Sequence, residues 1–342
     1  MLARLSRDLP GDGYLYEPKW DGFRCLAFRS GREVDLRSRN QRPLARYFPE
    51  IVEALAALDA GNVVLDGELV ASGRGGLDFT LLLARLHPAA SRVERLRRES
   101  PASFIAFDLL AEGTEDLTSE PFSRRRSRLE EVMAGASAPL FLTPLTSDRR
   151  VAESWLEGFR GRGIEGVVAK APGLRYRPGA RSMVKVKRQR TADCVVAGYR
   201  TFADEPLVAS LLLGLYEPNG VLRHIGVVAA FSEARRLELL EEMRPFVAPL
   251  EGHPWEGGFL LGGNPIGRLG GAATSWTPDR ELDWTPLRPA LVCEVGYDGF
   301  DGDRFRHAAR FLRWRPDRDP RSCTFDQFER SPSLLAEILP LG

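Results

Sequence analysis

Residues 14–28 read YLYEPKWDGFRCLAF, and this stretch sets the pattern of the first half of the chain. Residues 14–16 and 23–28 are rich in aromatic and aliphatic side chains, which favours two strands. Lys19 lies between them, next to Asp21 and Gly22. We therefore predict that Lys19 occupies a glycine-containing turn, where its long side chain can enter a cleft.

Short strands and helices alternate from this point to about residue 190. The pattern predicts further strands at residues 63–70, 104–110 and 166–170. Helices are predicted at residues 48–58, 79–86, 123–133 and 151–160. Such mixing with short spacers is typical of an α+β domain built on antiparallel sheets.

After about residue 190 the chain reads as short strands separated by turns. Strands are predicted at residues 194–199, 207–216, 221–228 and 291–297, with one helix at 232–243 capped by Ser232. About five strands and a helix fit a small barrel of the OB type. We place the boundary in the polar stretch 187–191, which gives domains 1–189 and 190–342. The Gly/Pro-rich stretch 252–271 is predicted to be a long loop.

Composition bounds the class of protein. The 342 residues are 43% hydrophobic and 28% charged, as in globular chains with two cores. No apolar run approaches the ~20 residues of a membrane span, and the first residues lack a signal peptide's apolar stretch. The cysteines are single, without metal-site spacing, which favours thiols in a reducing cytoplasm. They are Cys25, Cys194, Cys293 and Cys323.

The net charge of +1 argues neither for nor against a polyanionic partner, so any such site must be local. Residues 174–190 carry arginines and lysines without an acidic residue. A solvated charged face normally interleaves acids among its basic residues. The stretch therefore favours contact with phosphate.

Further motifs follow Lys19 in a defined order, each at a strand or its edge. They are SRN at 38–40, DGE at 66–68, FDLL at 107–110, EGVVAK at 165–170 and KVK at 185–187. Apolar and basic residues alternate in the last motif, which places Lys185 and Lys187 on one face of a strand. Taken singly, each motif has a structural explanation, such as a core ion pair for Glu68 or an edge strand for the two lysines. Together and in this order, they indicate an active site.

This order of motifs resembles the covalent nucleotidyltransferases, namely DNA ligases, RNA ligases and mRNA capping enzymes. The resemblance covers the whole first domain. In the second domain, RFRH at 304–307 and RWRPDR at 313–318 resemble the last motif of ATP-dependent DNA ligases. CTFDQ at 323–327 is similar to the C-terminal segment of bacterial ligases C and D. The resemblance implies an adenylyltransferase domain followed by an OB-fold domain, as in bacterial ATP-dependent DNA ligases.

The resemblance implies a catalytic role for residues of both domains. Lys19 is the nucleophile that takes up AMP, and Lys185 and Lys187 hold the α-phosphate. Arg315 and Asp317 orient the β- and γ-phosphates as pyrophosphate leaves. Arg318 stands where the family more usually carries lysine, which keeps the charge but replaces a point charge with a planar fork. An OB domain that must leave the phosphates implies a hinge at residues 187–191.

The nucleotide pocket is also assigned by resemblance. Glu17 lies beside the adenine edge, Phe107 stacks on the adenine, and Arg39 and Glu68 lie near the ribose. The other nucleotide-binding positions are Asp21, Gly22, Arg24, Glu165, Lys170, Lys185 and Lys187. The pairing of Asp21 with Gly22 serves the turn as well.

The implied cofactors are ATP and Mg²⁺ or Mn²⁺, with the carboxylates of Glu68 and Glu165 as metal ligands. Attack on the α-phosphorus needs an unprotonated amine, whereas free lysine has a pKa of ~10.4. Lys185, Lys187 and the metal are expected to disfavour the charged form of Lys19.

The expected substrate is nicked duplex DNA, bound through its phosphates in a bacterial cytoplasm, with other repair or end-joining proteins as further partners and no membrane. The alternatives are an RNA ligase, a GTP-dependent capping enzyme, or a non-catalytic OB-fold module that binds nucleic acid. NAD⁺ is disfavoured as adenylate donor because 18 residues before Lys19 leave no room for the extra domain of NAD⁺-dependent ligases.

Overall fold

The structure is a computed structural model of the chain. It describes residues 1–73, 76–158, 164–187, 190–203, 205–261, 264–266, 284–301 and 303–328, with the backbone alone at 259–261 and 264–266. These residues form two compact units, one up to residue 187 and one from residue 190 to residue 328. The exact boundary, part of the predicted hinge, and the assignment of residues 329–342 to the second domain fall outside the described residues and stay predictions.

The first unit contains strands of two sheets and five α-helices in its described part, with a 3₁₀ helix at Ala45–Tyr47. The strands are β1 (Ala3–Ser6), β2 (Leu15–Trp20), β3 (Phe23–Ser30), β4 (Glu33–Ser38), β5 (Val63–Gly73), β6 (Gly76–Leu77), β7 (Ala102–Glu112), β8 (Glu115–Asp116), β9 (Leu140–Leu142), β10 (Ile164–Lys170) and β11 (Met183–Val186). The helices are α1 (Pro49–Ala57), α2 (Phe79–Arg85), α3 (Ala90–Glu99), α4 (Phe122–Met133) and α5 (Arg149–Gly158).

The strands of this unit form one larger and one smaller sheet. The larger has the order β4-β3-β5-β7-β8, with β6 on β5 and β9 on β7. The smaller has the order β1-β11-β10-β2. In the described part, β1–β11 and β7–β9 pair in parallel and the other pairs are antiparallel. The smaller sheet therefore combines segments from the beginning and the end of the unit.

The core of the larger sheet lies beneath α1 and α4. Helix α1 begins with proline in its first turn and buries Ile51 and Leu55, which are four residues apart and share one face. They pack in one cluster with Leu65 of β5 and Leu129 of α4, all fully buried. Burial of each such side chain stabilises the folded state by about 1.5–3 kcal/mol. This core supports strands β5 and β7, which carry the DGE and FDLL motifs.

The second unit is built on one sheet of antiparallel strands. Its elements are β12 (Arg190–Thr201), β13 (Val208–Tyr216), β14 (Leu222–Val228), α6 (Glu233–Met243), β15 (Phe259–Leu261), β16 (Asn264–Ile266), β17 (Thr285–Tyr297), β18 (Phe300–Asp301), β19 (Arg304–Phe305) and β20 (Arg310–Trp314). The main sheet has the order β14-β13-β12-β17-β20. Helix α6 packs Leu239 and Met243 into its core.

The predicted α+β class of the first unit is confirmed, since its sheets are mainly antiparallel and carry helices, and the second unit has the antiparallel sheet and the helix that were predicted for it. Ser232 caps α6, its hydroxyl accepting a hydrogen bond from the amide of Arg235. The predicted loop 252–271 is wrong at β15 and β16, which pair as a hairpin. The sequence also failed to predict α3, whose single buried residue, Val93, leaves little apolar periodicity.

The cysteines Cys25, Cys194, Cys293 and Cys323 are free and buried, in agreement with their single spacing. Among the described residues, no helix combines the length and the apolar character that a membrane crossing requires.

Candidate active site

Lys19 lies within β2, one residue before its end, and not in the predicted turn. Its backbone is opposite Gly166 of β10, and Glu17 is opposite Val168. The turn itself is confined to Asp21 and Gly22 before β3 begins. Pairing with β10 extends the strand through the lysine, and it brings the EGVVAK motif beside Lys19.

Two motif glycines are required by close backbone contacts. A Cβ atom at Gly22 would lie 2.0 Å from the carbonyl oxygen of Leu69 in β5, and one at Gly166 would lie 2.0 Å from the carbonyl oxygen of Val186 in β11. No real Cβ atom tolerates such a distance. Gly22 therefore lets the turn after Lys19 sit on β5, and Gly166 lets β10 approach β11.

The Gly22→Ala variant is expected to lose stability and adenylation together, because the clash is with backbone that cannot rotate away. Overpacking costs typically about 1–3 kcal/mol. Urea unfolding measures the loss, with Gly11→Ala as the matched control since nothing lies within 4 Å of its Cβ position. Equal midpoints for the two variants would contradict the contact.

Glu165 lies at the centre of a cluster of lysines. Its Oε2 accepts hydrogen bonds from Nζ of Lys19 at 2.5 Å and from Nζ of Lys187 at 2.8 Å. Lys185 is opposite Val168 of β10, and its pKa is lowered by burial and then by the charges of Lys187 and Lys19. The structure thus joins Glu165 to Lys19 and Lys187 and places Lys185 on the neighbouring strand, in agreement with what the resemblance implied.

The protein groups alone do not lower the pKa of Lys19 as expected, and the part of that expectation which rests on the metal stays a prediction. Burial lowers the pKa of Lys19, but the carboxylates of Glu165 and Glu68 outweigh it, and the net shift is upward. Burial likewise opposes ionisation of Glu165, yet Lys19 and Lys187 bring its pKa down to about 2. The ion pair therefore keeps Lys19 protonated until Glu165 moves away from it.

Glu68 is the second predicted metal ligand. Burial raises its pKa to about 8, and the charges of Lys19 and Arg24 offset this in part. A bound cation would offset the cost of burying the ionised Glu68 carboxylate. The described residues contain no cluster of three or more metal ligands. Mg²⁺ often takes one or two carboxylates together with substrate phosphates, so Glu68 and Glu165 fit a metal that arrives with a nucleotide.

Glu17 and Lys170 form a buried pair beside Phe107. Their side chains are 3% and 2% exposed, and Lys170 Nζ lies 2.7 Å from Glu17 Oε2. The same Nζ donates to the Phe107 carbonyl at 2.9 Å and lies 5.1 Å from the centre of its ring. Glu17 Oε1 is buried without a hydrogen bond, with Arg126 Nη1 at 3.7 Å. A buried acceptor of this kind can receive a donor from a bound base.

Arg24 belongs to a network that the sequence did not predict in full. Its guanidinium donates to both carboxylate oxygens of Asp66, at 2.9 and 2.5 Å, and to the hydroxyl of Tyr176 at 3.2 Å. Tyr176 in turn donates to Asp66 at 2.9 Å. Asp66 is fully buried. An acid in an apolar strand was the available signal, since such a group needs a buried partner.

A second buried acid, Asp108, lies opposite Asp66 on the neighbouring strand. Arg125 of α4 binds it with Nε–Oδ1 at 2.8 Å and Nη2–Oδ2 at 3.0 Å. Arg125 Nη1 also donates to the carbonyls of Glu120 and Leu174. Asp66 and Asp108 can lie opposite each other because each carboxylate is bound by an arginine of its own. This pair was not predicted either.

Asp21 and Arg39 are less closely tied to the lysine cluster. Asp21 adds to the field that raises the pKa of Lys19, though less than Glu165 and Glu68 do. Arg39 lies exposed in the turn after β4, and among the described residues its side chain forms no ion pair. A ribose contact for Arg39 stays a prediction.

Arg315 and Asp317 lie beside each other after β20 in the second unit. Arg315 Nη2 and Nε bind the Asp317 carboxylate at 2.8 and 2.9 Å. Arg315 Nη1 binds both oxygens of Asp193 at 3.0 and 3.1 Å. Arg318 Nε lies 3.5 Å from the same carboxylate. Asp193 was not predicted as part of this motif.

A strand lysine paired with an acid, beside further lysines and a half-buried aromatic ring, defines the class as a nucleotidyltransferase. A family model described as the ATP dependent DNA ligase domain matches residues 2–187, and one described as the ATP dependent DNA ligase C terminal region matches residues 204–318. The chain belongs to the family of ATP-dependent DNA ligases.

Individual relatives agree with the family models. The chain is 47% identical to DNA ligase C of Mycobacterium tuberculosis, over 99% of this chain and 96% of that protein. It is 48% identical to DNA ligase C2 of Mycolicibacterium smegmatis, over 97% of this chain and 94% of that protein. A solved structure of a Lig E DNA ligase aligns with a TM-score of 0.51 and 20% identity, covering 92% of this chain and 98% of that one, which shows a shared fold.

Proposed function

We propose that the protein is an ATP-dependent DNA ligase that seals nicks with 3′-hydroxyl and 5′-phosphate ends in DNA repair. Besides family membership, one observation carries the proposal: Lys19 is held on a strand among Lys185, Lys187 and Glu165. The likeness to DNA ligase C proteins supports the choice of DNA, and the weaker likeness to a non-homologous end joining DNA repair protein supports a role in repair.

The reaction begins at Nζ of Lys19. A bond forms between this nitrogen and the α-phosphorus of ATP, the bond from that phosphorus to the bridging oxygen breaks, and pyrophosphate leaves. An oxygen of the 5′-phosphate at the nick then attacks the AMP phosphorus, and the bond from that phosphorus to Nζ breaks. In the last step the 3′-hydroxyl oxygen attacks the 5′-phosphorus and AMP leaves. Lys19 reacts only after its proton leaves, so its 2.5 Å ion pair with Glu165 must open first. Lys185 and Lys187 stabilise the charge that builds on the α-phosphate.

The buried Oε1 of Glu17 supports adenine as the base. The edge of adenine offers an exocyclic amine as donor, whereas guanine carries a carbonyl at that position. A carboxylate oxygen without a hydrogen bond suits the amine and repels the carbonyl. Phe107 is half-buried and presents a ring for stacking, with Lys170 and Arg24 fixed beside it. Arg39 and Glu68 complete the pocket near the ribose in this proposal.

Glu68 and Glu165 are the residues proposed to hold Mg²⁺ or Mn²⁺. When bound, the metal neutralises phosphate charge and aligns the pyrophosphate leaving group. Glu165 also has a second role before the reaction, because its carboxylate binds the Lys19 amine and holds that side chain in place. In the second unit, Arg315 and Asp317 are proposed to act in adenylation and not in the final sealing step.

The function is tested by incubating the protein with α-labelled ATP, α-labelled GTP or adenylate-labelled NAD⁺, and with nicked duplexes that carry DNA or RNA strands. Label from ATP alone, and sealing of the DNA nick, are the expected results. A nick without its 5′-phosphate is the control, and EDTA should stop labelling. Label from GTP would indicate a capping-type enzyme, sealing of RNA alone would indicate an RNA ligase, and no ligation with any donor would overturn the proposal.

A further inference from the structure

Asp193 occupies a place on β12 where a strand is present on one side only. It is opposite Glu294 of β17, whereas the pairing of β12 with β13 begins at Val195. The backbone groups of Asp193 on the β13 side are bound by a side chain instead. Gln327 Oε1 accepts from the Asp193 amide at 2.8 Å, and Gln327 Nε2 donates to its carbonyl at 3.0 Å. The Gln327 amide thus replaces the peptide group of a neighbouring strand.

The segment that carries Gln327 is itself fixed to the sheet. Tyr216, the last residue of β13, donates its amide to the carbonyl of Cys323 at 2.8 Å. Gln327 Nε2 makes a further hydrogen bond to the Thr324 carbonyl at 3.1 Å. A short 3₁₀ helix, Phe325–Gln327, holds the side chain in place. The sequence CTFDQ therefore continues the sheet where β13 ends, and its terminal glutamine reaches β12.

Two carboxylates bind the Arg315 guanidinium, and that of Asp193 is the more buried of the two. Asp193 is 14% exposed, whereas Asp317, the other partner of Arg315, is 61% exposed. A solvent-exposed ion pair is screened and contributes little to stability. The less exposed carboxylate, that of Asp193, therefore binds Arg315 more strongly. The Arg315 amide also donates to the Val292 carbonyl at 2.8 Å. Among the described residues, Nη2 of Arg315 makes one hydrogen bond, which leaves its second N–H for a phosphate oxygen.

We propose that Asp193 is a positioning residue that sets the Arg315 guanidinium for the adenylation step, and that Gln327 fixes Asp193. The inference rests on the proposed role of Arg315 with the phosphates of ATP. Under this proposal the CTFDQ segment supports catalysis, although none of its side chains needs to contact the substrate. A purely structural role predicts a different result, namely that both adenylation and sealing decline with the stability of the unit.

The test separates the first and last chemical steps. Labelling by α-labelled ATP reports adenylation, and sealing of a nick that already carries AMP reports the last step without ATP. Asp193→Asn is expected to slow adenylation about a hundredfold, the scale of effect seen when a group is misplaced by an ångström. Sealing of the adenylylated nick stays at the wild-type rate. Asp193→Glu recovers part of the adenylation rate, and Gln327→Ala causes a smaller loss than Asp193→Asn.

Glu294→Gln is the matched control, because Glu294 is opposite Asp193 and pairs with Arg313 instead. It should adenylate like the wild type. In a double-mutant cycle, Asp193→Asn adds no further loss to Arg315→Ala, because the aspartate acts through the arginine.

Three results would overturn the inference: additive losses in the cycle, equal losses in both steps, or wild-type adenylation by folded Asp193→Asn. Normal adenylation by Arg315→Ala would remove its premise. A wild-type chain that takes no label from ATP would instead refute the proposed function, and this inference with it.

Discussion

The Lys19→Ala variant is expected to take up no label from ATP, yet to seal a nick that already carries AMP, though weakly. Loss of a covalent nucleophile costs on the order of 10⁶-fold in rate, which places residual labelling below detection. The last step needs no nucleophilic lysine, since AMP is then on the DNA. Weak sealing is expected because Lys19 also belongs to the ion cluster around Glu165.

The measurement is a denaturing gel of protein-bound label, with nick sealing followed in parallel. The chain has only four lysines, Lys19, Lys170, Lys185 and Lys187, so every other lysine can be replaced in turn. Lys185→Ala serves as the control that labels slowly but still labels. If Lys19→Ala became labelled, the nucleophile would be wrongly assigned.

Arg125→Ala is expected to destabilise the first unit more than any surface substitution, by about 3–5 kcal/mol, because it leaves the buried Asp108 carboxylate without its partner. The arginine also binds the carbonyls of Glu120 and Leu174, which lose their donor. Arg124→Ala is the matched control. Arg124 is 50% exposed and pairs with Glu115 and Glu120 at the surface, so its removal should stay within about 0.5 kcal/mol.

Hydrogen exchange under increasing urea measures this loss and locates it in β7 and α4. Replacing both partners, with Asp108→Leu and Arg125→Met, should recover part of the stability, because no unpaired charge then stays buried. Similar unfolding midpoints for Arg125→Ala and Arg124→Ala would show that the pair does not support the unit.

The sequence predicted most of the longer strands of both units and most α-helices, because their apolar periodicity is strong. The lysine cluster was implied by the resemblance to covalent nucleotidyltransferases, which the ordered motifs carry. The sequence did not predict β1, whose parallel pairing with β11 spans almost the whole unit. It placed Lys19 in a turn because local residue preferences cannot show that β10 extends the strand.

The ion-pair partners of the site were the harder part to predict. Arg24 with Asp66, Arg125 with Asp108, and Arg315 with Asp193 each join residues far apart in the chain. One signal was available in composition. Lys+Arg total 48, of which four are lysine, and all four lie in the site motifs. A chain that uses arginine elsewhere keeps lysine where a group must lose a proton or act as a point charge.

The parallel pairing of β1 with β11 determines the order in which the enzyme can be completed during its synthesis. Ala3 is opposite Met183, and Lys19 is opposite Gly166. The larger sheet uses mostly consecutive strands and can form on the nascent chain, whereas closing so long a loop must wait for residues near 186 to leave the ribosome. A ribosome-bound chain that ends before β10 would therefore contain Glu68 and Phe107 but could not charge Lys19 with AMP.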